Sequence, residues 1–135
     1  MKIKSLLAKP LASYIYKQTK KMAQNAVADQ QQLLLNLIKT AANTQFGKDH
    51  HFAEIKNYED FKQAVPVRDY EKLRPYIDKI KEGKQNILWK GVPLYFAKTS
   101  GTTSGVKYIP ITKDLIRSNT ITSIKQLLTL TKYEN

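Results

Sequence analysis

The sequence predicts an α/β chain. Residues 1–90 are expected to be a mainly helical lead-in, and residues 91–135 to hold one strand-turn-strand unit followed by a helix. Three observations carry this reading. Apolar residues recur at helical spacing in separate stretches before residue 90. Two short β-prone runs, Leu94 to Ala97 and Tyr108 to Ile111, bracket a turn of threonine, serine and glycine. The stretch after Thr112 is so rich in apolar residues that a helix there wants cover on more than one side. Two strands make a poor cover, so the sheet is expected to be incomplete within this chain.

In chain order, Leu6, Leu7, Leu11, Ile15 and Met22 fall at helical spacing, with Lys9, Lys17, Lys20 and Lys21 among them. This helix is expected to begin near Pro10, since proline is tolerated in a first turn. Its basic side invites a membrane-surface reading, but the apolar face is narrow for that, and docking on its own domain is preferred. Asn25 or Asp29 can cap a second helix, on which Leu34, Leu37, Ile38 and Ala41 share a face. Gly47 is expected to supply a left-handed residue where the chain leaves it.

His50 and His51 are adjacent, and no cysteine or paired carboxylate stands at ligand spacing. They are read as surface or turn residues, and no metal site is expected. Residues 58–83 read as two short helices around an extended Val65-Pro66-Val67, because the residue before proline avoids the helical region. Asp69 caps the second, Leu73, Tyr76, Ile77 and Ile80 line one face, and Gly83 closes it. Glu71, Lys72, Asp78 and Lys79 read as a solvated face. Trp89 is read as a core residue rather than a platform for a base. Leu94 to Ala97 reads as a buried strand. Thr112 can cap the last helix, whose apolar positions include Leu115, Ile121, Ile124 and Leu127.

The stretch with most chemistry is Thr99-Ser100-Gly101-Thr102-Thr103-Ser104-Gly105-Val106-Lys107. Two glycines let the backbone turn tightly and approach a ligand. Hydroxyls and converging N–H groups suit an anion, and Lys107 adds a positive charge. A flexible linker has similar composition, but linkers are seldom held between two apolar β-type runs. The turn is not a Walker A loop. That motif needs four residues between its glycines and a Gly-Lys-Ser/Thr ending. Here three residues separate Gly101 from Gly105, and Val106 precedes Lys107.

The run Thr-Ser-Gly-Thr-Thr-Ser-Gly-x-Lys instead resembles the phosphate-binding loop of the acyl-adenylating superfamily, which includes firefly luciferase and the acyl-CoA ligases. Within it, the chain is most similar to the plant auxin and jasmonate acyl-acid amido synthetases and their bacterial relatives. The likeness extends upstream through Phe46-Gly47-Lys48, Asp60-Phe61, Val65-Pro66-Val67, Asp69-Tyr70-Glu71, Pro75-Tyr76-Ile77 and Gly91. It covers residues 40–115.

The resemblance implies an ATP-dependent ligase. A carboxylate is activated as an acyl-adenylate, and an amine, usually an amino acid, then takes the acyl group. It also implies that Ser100, Gly101, Thr102, Thr103, Ser104 and Gly105 hold the nucleotide phosphates, that Lys107 offers charge to them, and that the last helix borders the acyl pocket. Mg2+ is implied too, although no ligand for it is visible in the sequence. Enzymes of this family have a large α/β nucleotide domain and a mobile C-terminal lid. Residues 1–135 are therefore expected to be the N-terminal part of one adenylate-forming domain, without the lid and inactive alone. The nearest rival is an acyl-CoA ligase of the phenylacetate type, which shares the first step and differs in its acceptor.

Composition bounds the remaining classes. The chain has 135 residues, no cysteine and a formal net charge of +12. A disulfide framework and a thiolate nucleophile are thereby excluded, which suits the cytoplasm. No apolar run reaches the roughly 18 residues of a membrane span, and Lys9 and Pro10 end the leading apolar run too early for a signal peptide. The charge raises a rival from another class, a noncatalytic module for nucleic acid or an anionic membrane. The lysines are dispersed and no nucleic-acid motif accompanies them, so neither nucleic acid nor stable membrane anchoring is expected. The expected partners are a small carboxylic acid, ATP and an amine.

Overall fold

The computed structural model describes residues 2–100 and 105–130. The chain is helix-rich, with α1 (Lys2–Gln24), α2 (Ala26–Ala41), α3 (Gln45–Asp49), a 3-10 turn (Phe52–Glu54), α4 (Tyr58–Ala64) and α5 (Tyr70–Lys81) preceding β1 (Tyr95–Lys98), β2 (Tyr108–Ile111) and α6 (Lys113–Leu130). It divides into two compact units, residues 30–113 and residues 1–29 with 114–135.

In the unit of residues 30–113, one apolar cluster forms around Ile38 and Ala41 of α2 and Phe52, with Leu34, Phe46, Phe61 and Trp89 packed against it. Trp89 is thus a core-edge residue, as expected. A second cluster centres on Ile77, Ile80 and Ile87, with Tyr70, Tyr76, Phe96 and Tyr108 against it. It joins α5 to the hairpin. The expected α5 face is the one buried, and Asp69 caps the helix by accepting the Lys72 N–H at 3.0 Å. Gly83 ends the helix at φ +85°, where a side chain is strained. Glu71 pairs with Arg74 and Asp78 with Lys81 along the exposed surface, so these carboxylates are a solvated face.

The strands pair antiparallel, Tyr95 opposite Ile111 and Lys98 opposite Tyr108, in a two-stranded sheet. The expectation of a buried first strand fails. Leu94 and Tyr95 are 61% and 56% exposed. Alternation accounts for Tyr95, which turns away from the α5 cluster that Phe96 packs against, while Leu94 stands just before the strand.

Two further expectations are corrected. The first helix begins at Lys2 and runs through Pro10 rather than starting there. The proline removes a single ladder hydrogen bond, and good helix formers on both sides outweigh it. Gly47 is not a left-handed exit residue. It lies inside α3 and is buried, and the chain leaves α2 through residues 42–44 instead.

In the other unit, α1 buries Ala12 completely. Tyr14, Ile15, Gln18 and Met22 of α1, with Lys125 and Thr129 of α6 among others, line a groove of about 960 Å3. No residue of α6 is buried, and Ile124, Leu127 and Leu130 are at least half exposed. Among the described residues, no helix is long and apolar enough to cross a membrane.

Candidate functional site

The hydroxyl-rich turn leaves β1 at Lys98 and returns at the start of β2. Its base is closed twice between the same two residues. The Thr99 N–H donates to the Lys107 carbonyl at 3.0 Å, and the Lys107 N–H donates to the Thr99 hydroxyl at 3.3 Å. This pair continues the antiparallel ladder by one step. The strands therefore deliver Ser100 and Gly105 to one end of the hairpin.

Ser100 is exposed, Gly105 is exposed and Lys107 is half-buried. Gly105 adopts φ +75°, and nothing lies within 4 Å of where a Cβ would stand. Its glycine is demanded by the backbone angle rather than by crowding. The remaining expected phosphate-binding residues, Gly101, Thr102, Thr103 and Ser104, lie outside the described residues.

The Lys107 ammonium sits 5.8 Å from the centroid of the Tyr70 ring, close enough for cation–π attraction. Among the described residues no carboxylate forms an ion pair with it. The Tyr70 hydroxyl, in turn, accepts the Tyr108 N–H at 2.9 Å. Arg74 also stands over the Tyr70 ring, at 5.6 Å, and Glu71 raises its pKa above the ordinary value through a hydrogen bond and opposite charge. Lys81 lies 4.7 Å from the Tyr108 ring. A lysine charge not cancelled by a carboxylate, a hydroxyl and a left-handed glycine at one hairpin end fit an anionic group such as a phosphate.

Sequence reasoning missed Tyr70 as part of this region. Thirty-eight positions separate it from Tyr108, and no spacing rule spans such a gap. Thr99 was within the recognised turn, but its role in closing the base needs the strand register.

A second polar cluster lies on α3 and α5. His50 lies in a turn, one of the two roles expected of it, but it is only 5% exposed and so not a surface residue. Its Nδ1 meets the Phe46 carbonyl at 2.8 Å and its Nε2 meets the Arg68 guanidinium. A carbonyl only accepts and a guanidinium only donates, so the neutral Nδ1–H tautomer satisfies both. The ring also stacks on Phe46 at 4.1 Å, which is why it is buried. His51 is exposed, at φ +52°, and 3.6 Å from Glu54. Among the described residues no cluster of three or more potential metal ligands occurs. Tyr76 donates to Asp49 at 2.8 Å. Burial, with help from Asp49, raises its phenol pKa against an opposing effect of Arg68.

Comparison with known proteins adds the following. The family described as GH3 family N-terminal domain matches residues 15–134. Among curated relatives, an indole-3-acetic acid-amido synthetase of Arabidopsis thaliana, GH3.17, is 32% identical over 71% of this chain and 16% of its own length. A probable indole-3-acetic acid-amido synthetase of the same plant, GH3.1, is 30% identical over 69% of this chain and 16% of its own. A third, GH3.2, is 30% identical over 76% and 19%. The chain thus spans less than a fifth of the length of these relatives. No solved structure matches it significantly.

Proposed function

This chain belongs to the GH3 family, and we propose that it is the phosphate-binding portion of an ATP-dependent acyl-acid amido synthetase. The relatives are named amido synthetases; the adenylation step and the nucleotide site are our reading. The chain is read as the N-terminal part of a larger adenylate-forming domain. The observation that carries the proposal is the hairpin base, where Thr99 and Lys107 close a glycine- and hydroxyl-rich turn and leave a lysine charge beside it.

In the first step a carboxylate oxygen of the acid attacks the α-phosphorus of ATP and pyrophosphate leaves. In the second an amine nitrogen attacks the acyl carbon, AMP leaves and the nitrogen gives up a proton. Negative charge grows on phosphate oxygens in the first step. Preorganised N–H groups, hydroxyls and a cation stabilise it most in a site that excludes water. Ser100, Thr102, Thr103 and Ser104 take the hydrogen-bonding role, Gly101 and Gly105 let the backbone turn, and Lys107 contributes the charge. Mg2+ would balance charge on the outer phosphates.

Carboxylate-dependent ATP–pyrophosphate exchange by the full-length protein tests this. Indole-3-acetic acid, the acid in the relatives' names, is the first to try, followed by other small carboxylic acids. Exchange that requires an acid supports the reading. No exchange across a broad acid panel, together with no saturable ATP binding, overturns it.

A further inference from the structure

We propose that Tyr70, the first residue of α5, is a positioning residue that sets Lys107 for the nucleotide phosphates. Tyr70 takes this role only if the turn binds ATP as proposed above.

One side chain grips two consecutive residues of the returning strand. In an antiparallel ladder, residues alternate between pairs that exchange hydrogen bonds and pairs that do not. Thr99 and Lys107 are a bonded pair, so at the next pair, Lys98 opposite Tyr108, the Tyr108 N–H points away from β1. Among the described residues the sheet has no third strand to receive it. The Tyr70 hydroxyl does so, at 2.9 Å. An edge N–H is thereby satisfied by a helix side chain, and the backbone just after Lys107 is tied to α5.

The same ring lies under the Lys107 ammonium at 5.8 Å. Its π-face attracts the cation without neutralising it, unlike a carboxylate. The lysine is thus held in place with its charge still available to phosphate oxygens. A freely rotating lysine loses rotamer entropy when a ligand fixes it; one already resting on a ring loses less. Tyr70 itself is well held, because it packs on the Ile77, Ile80 and Ile87 cluster, and Asp69 caps the helix it begins. Both grips therefore act from a rigid support.

The test uses the full-length protein, with ATP binding measured by calorimetric titration and acid-dependent pyrophosphate exchange measured alongside. Tyr70→Leu removes both grips and is expected to raise the Kd and KM for ATP about three- to tenfold, with kcat within about twofold of the parent. Tyr70→Phe keeps the ring and is expected to recover most of the loss. Adding Tyr70→Leu to Lys107→Ala should weaken ATP no further, because Tyr70 acts through that lysine. A lower melting temperature with unchanged Kd and KM would make Tyr70 a structural residue only and overturn the proposal. So would additive losses in the double variant. A parent protein that neither binds ATP nor exchanges pyrophosphate overturns the ATP reading and this inference together, an outcome recognisable before any variant is made.

Discussion

Gly47 in α3 lies against the backbone of Ala41 so closely that a Cβ on it would stand 2.1 Å from the Ala41 carbonyl oxygen and 3.0 Å from the Ala42 Cα. The neighbour is backbone at the end of α2, which cannot rotate aside as a side chain does. Gly47→Ala must therefore push α3 off α2 and open the cluster around Ile38, Ala41 and Phe52. The expected cost is about 3 kcal/mol or more, in the range of severe overpacking. Urea unfolding checks it, and a loss under about 1 kcal/mol would mean that α3 shifts freely.

Thr44 is the reason the chain can turn so sharply between those helices. It is 2% exposed, and its hydroxyl works in both directions. It donates to the Ala41 carbonyl at 2.7 Å and accepts the Gly47 N–H at 3.0 Å. Thr44→Val keeps the shape and leaves the Gly47 N–H without its acceptor in a buried place, while the Ala41 carbonyl keeps the Thr44 N–H at 2.9 Å. A loss of about 1–3 kcal/mol is expected, with Thr44→Ser retaining most of the stability. A larger loss from Thr44→Ser than from Thr44→Val would show that the methyl group, rather than the hydroxyl, matters.

His50 and Arg68 form a pair that ties α3 to the segment before α5, while Arg68 also stands 5.6 Å over the Phe46 ring. Groups in one hydrogen-bonded network lose stability non-additively. In a double-mutant cycle with His50→Ala and Arg68→Ala, a coupling of about 1 kcal/mol is expected. Additive losses would reduce the contact to coincidence of packing.

Much of this architecture could be read from local pattern. The face of α5, its Asp69 cap and the two short runs around the turn follow from spacings of two to four residues and from capping chemistry. What escaped depends on distant partners. Gly47 seemed a helix exit because glycines commonly are; only the approach of Ala41 reveals why no side chain fits. The turn at His50 was legible but its burial was not, because nothing adjacent in sequence pairs with it, whereas Arg68, eighteen positions on, does. In the candidate site, Lys107 and Gly105 belonged to a recognisable run, but Tyr70 reaches Lys107 only through the packing of α5 on the hairpin.

The Tyr76–Asp49 bond makes stability sensitive to alkali. The phenol is protonated when it donates to Asp49 at 2.8 Å, and its pKa is raised, first by burial and then by Asp49. The folded state thus holds this proton more tightly than the unfolded chain, whose phenol has a pKa of about 10. The contribution is complete below that value and is lost as pH rises from there through the folded pKa. Unfolding curves at pH 8 to 11 should show the parent's advantage over Tyr76→Phe narrowing above a pH of about 10. A constant gap would mean that the bond adds nothing specific to the protonated form.

Lys107 separates the enzymatic reading from one based on net charge alone. In the proposed site its ammonium acts on phosphate oxygens at one position, whereas in a general polyanion surface it is one of 23 basic residues. Lys107→Ala in the full-length protein is expected to raise the KM for ATP about tenfold, the size of one lost charge-assisted contact. Its melting temperature should change little, since the lysine is not buried and has no carboxylate partner among the described residues. Substituting a lysine of the other unit, such as Lys20 on α1, should leave the KM for ATP unchanged. If both substitutions weaken ATP equally, and the binding falls steeply with salt, charge density rather than a built site explains the affinity. If only Lys107→Ala does, the turn is where the nucleotide phosphates sit.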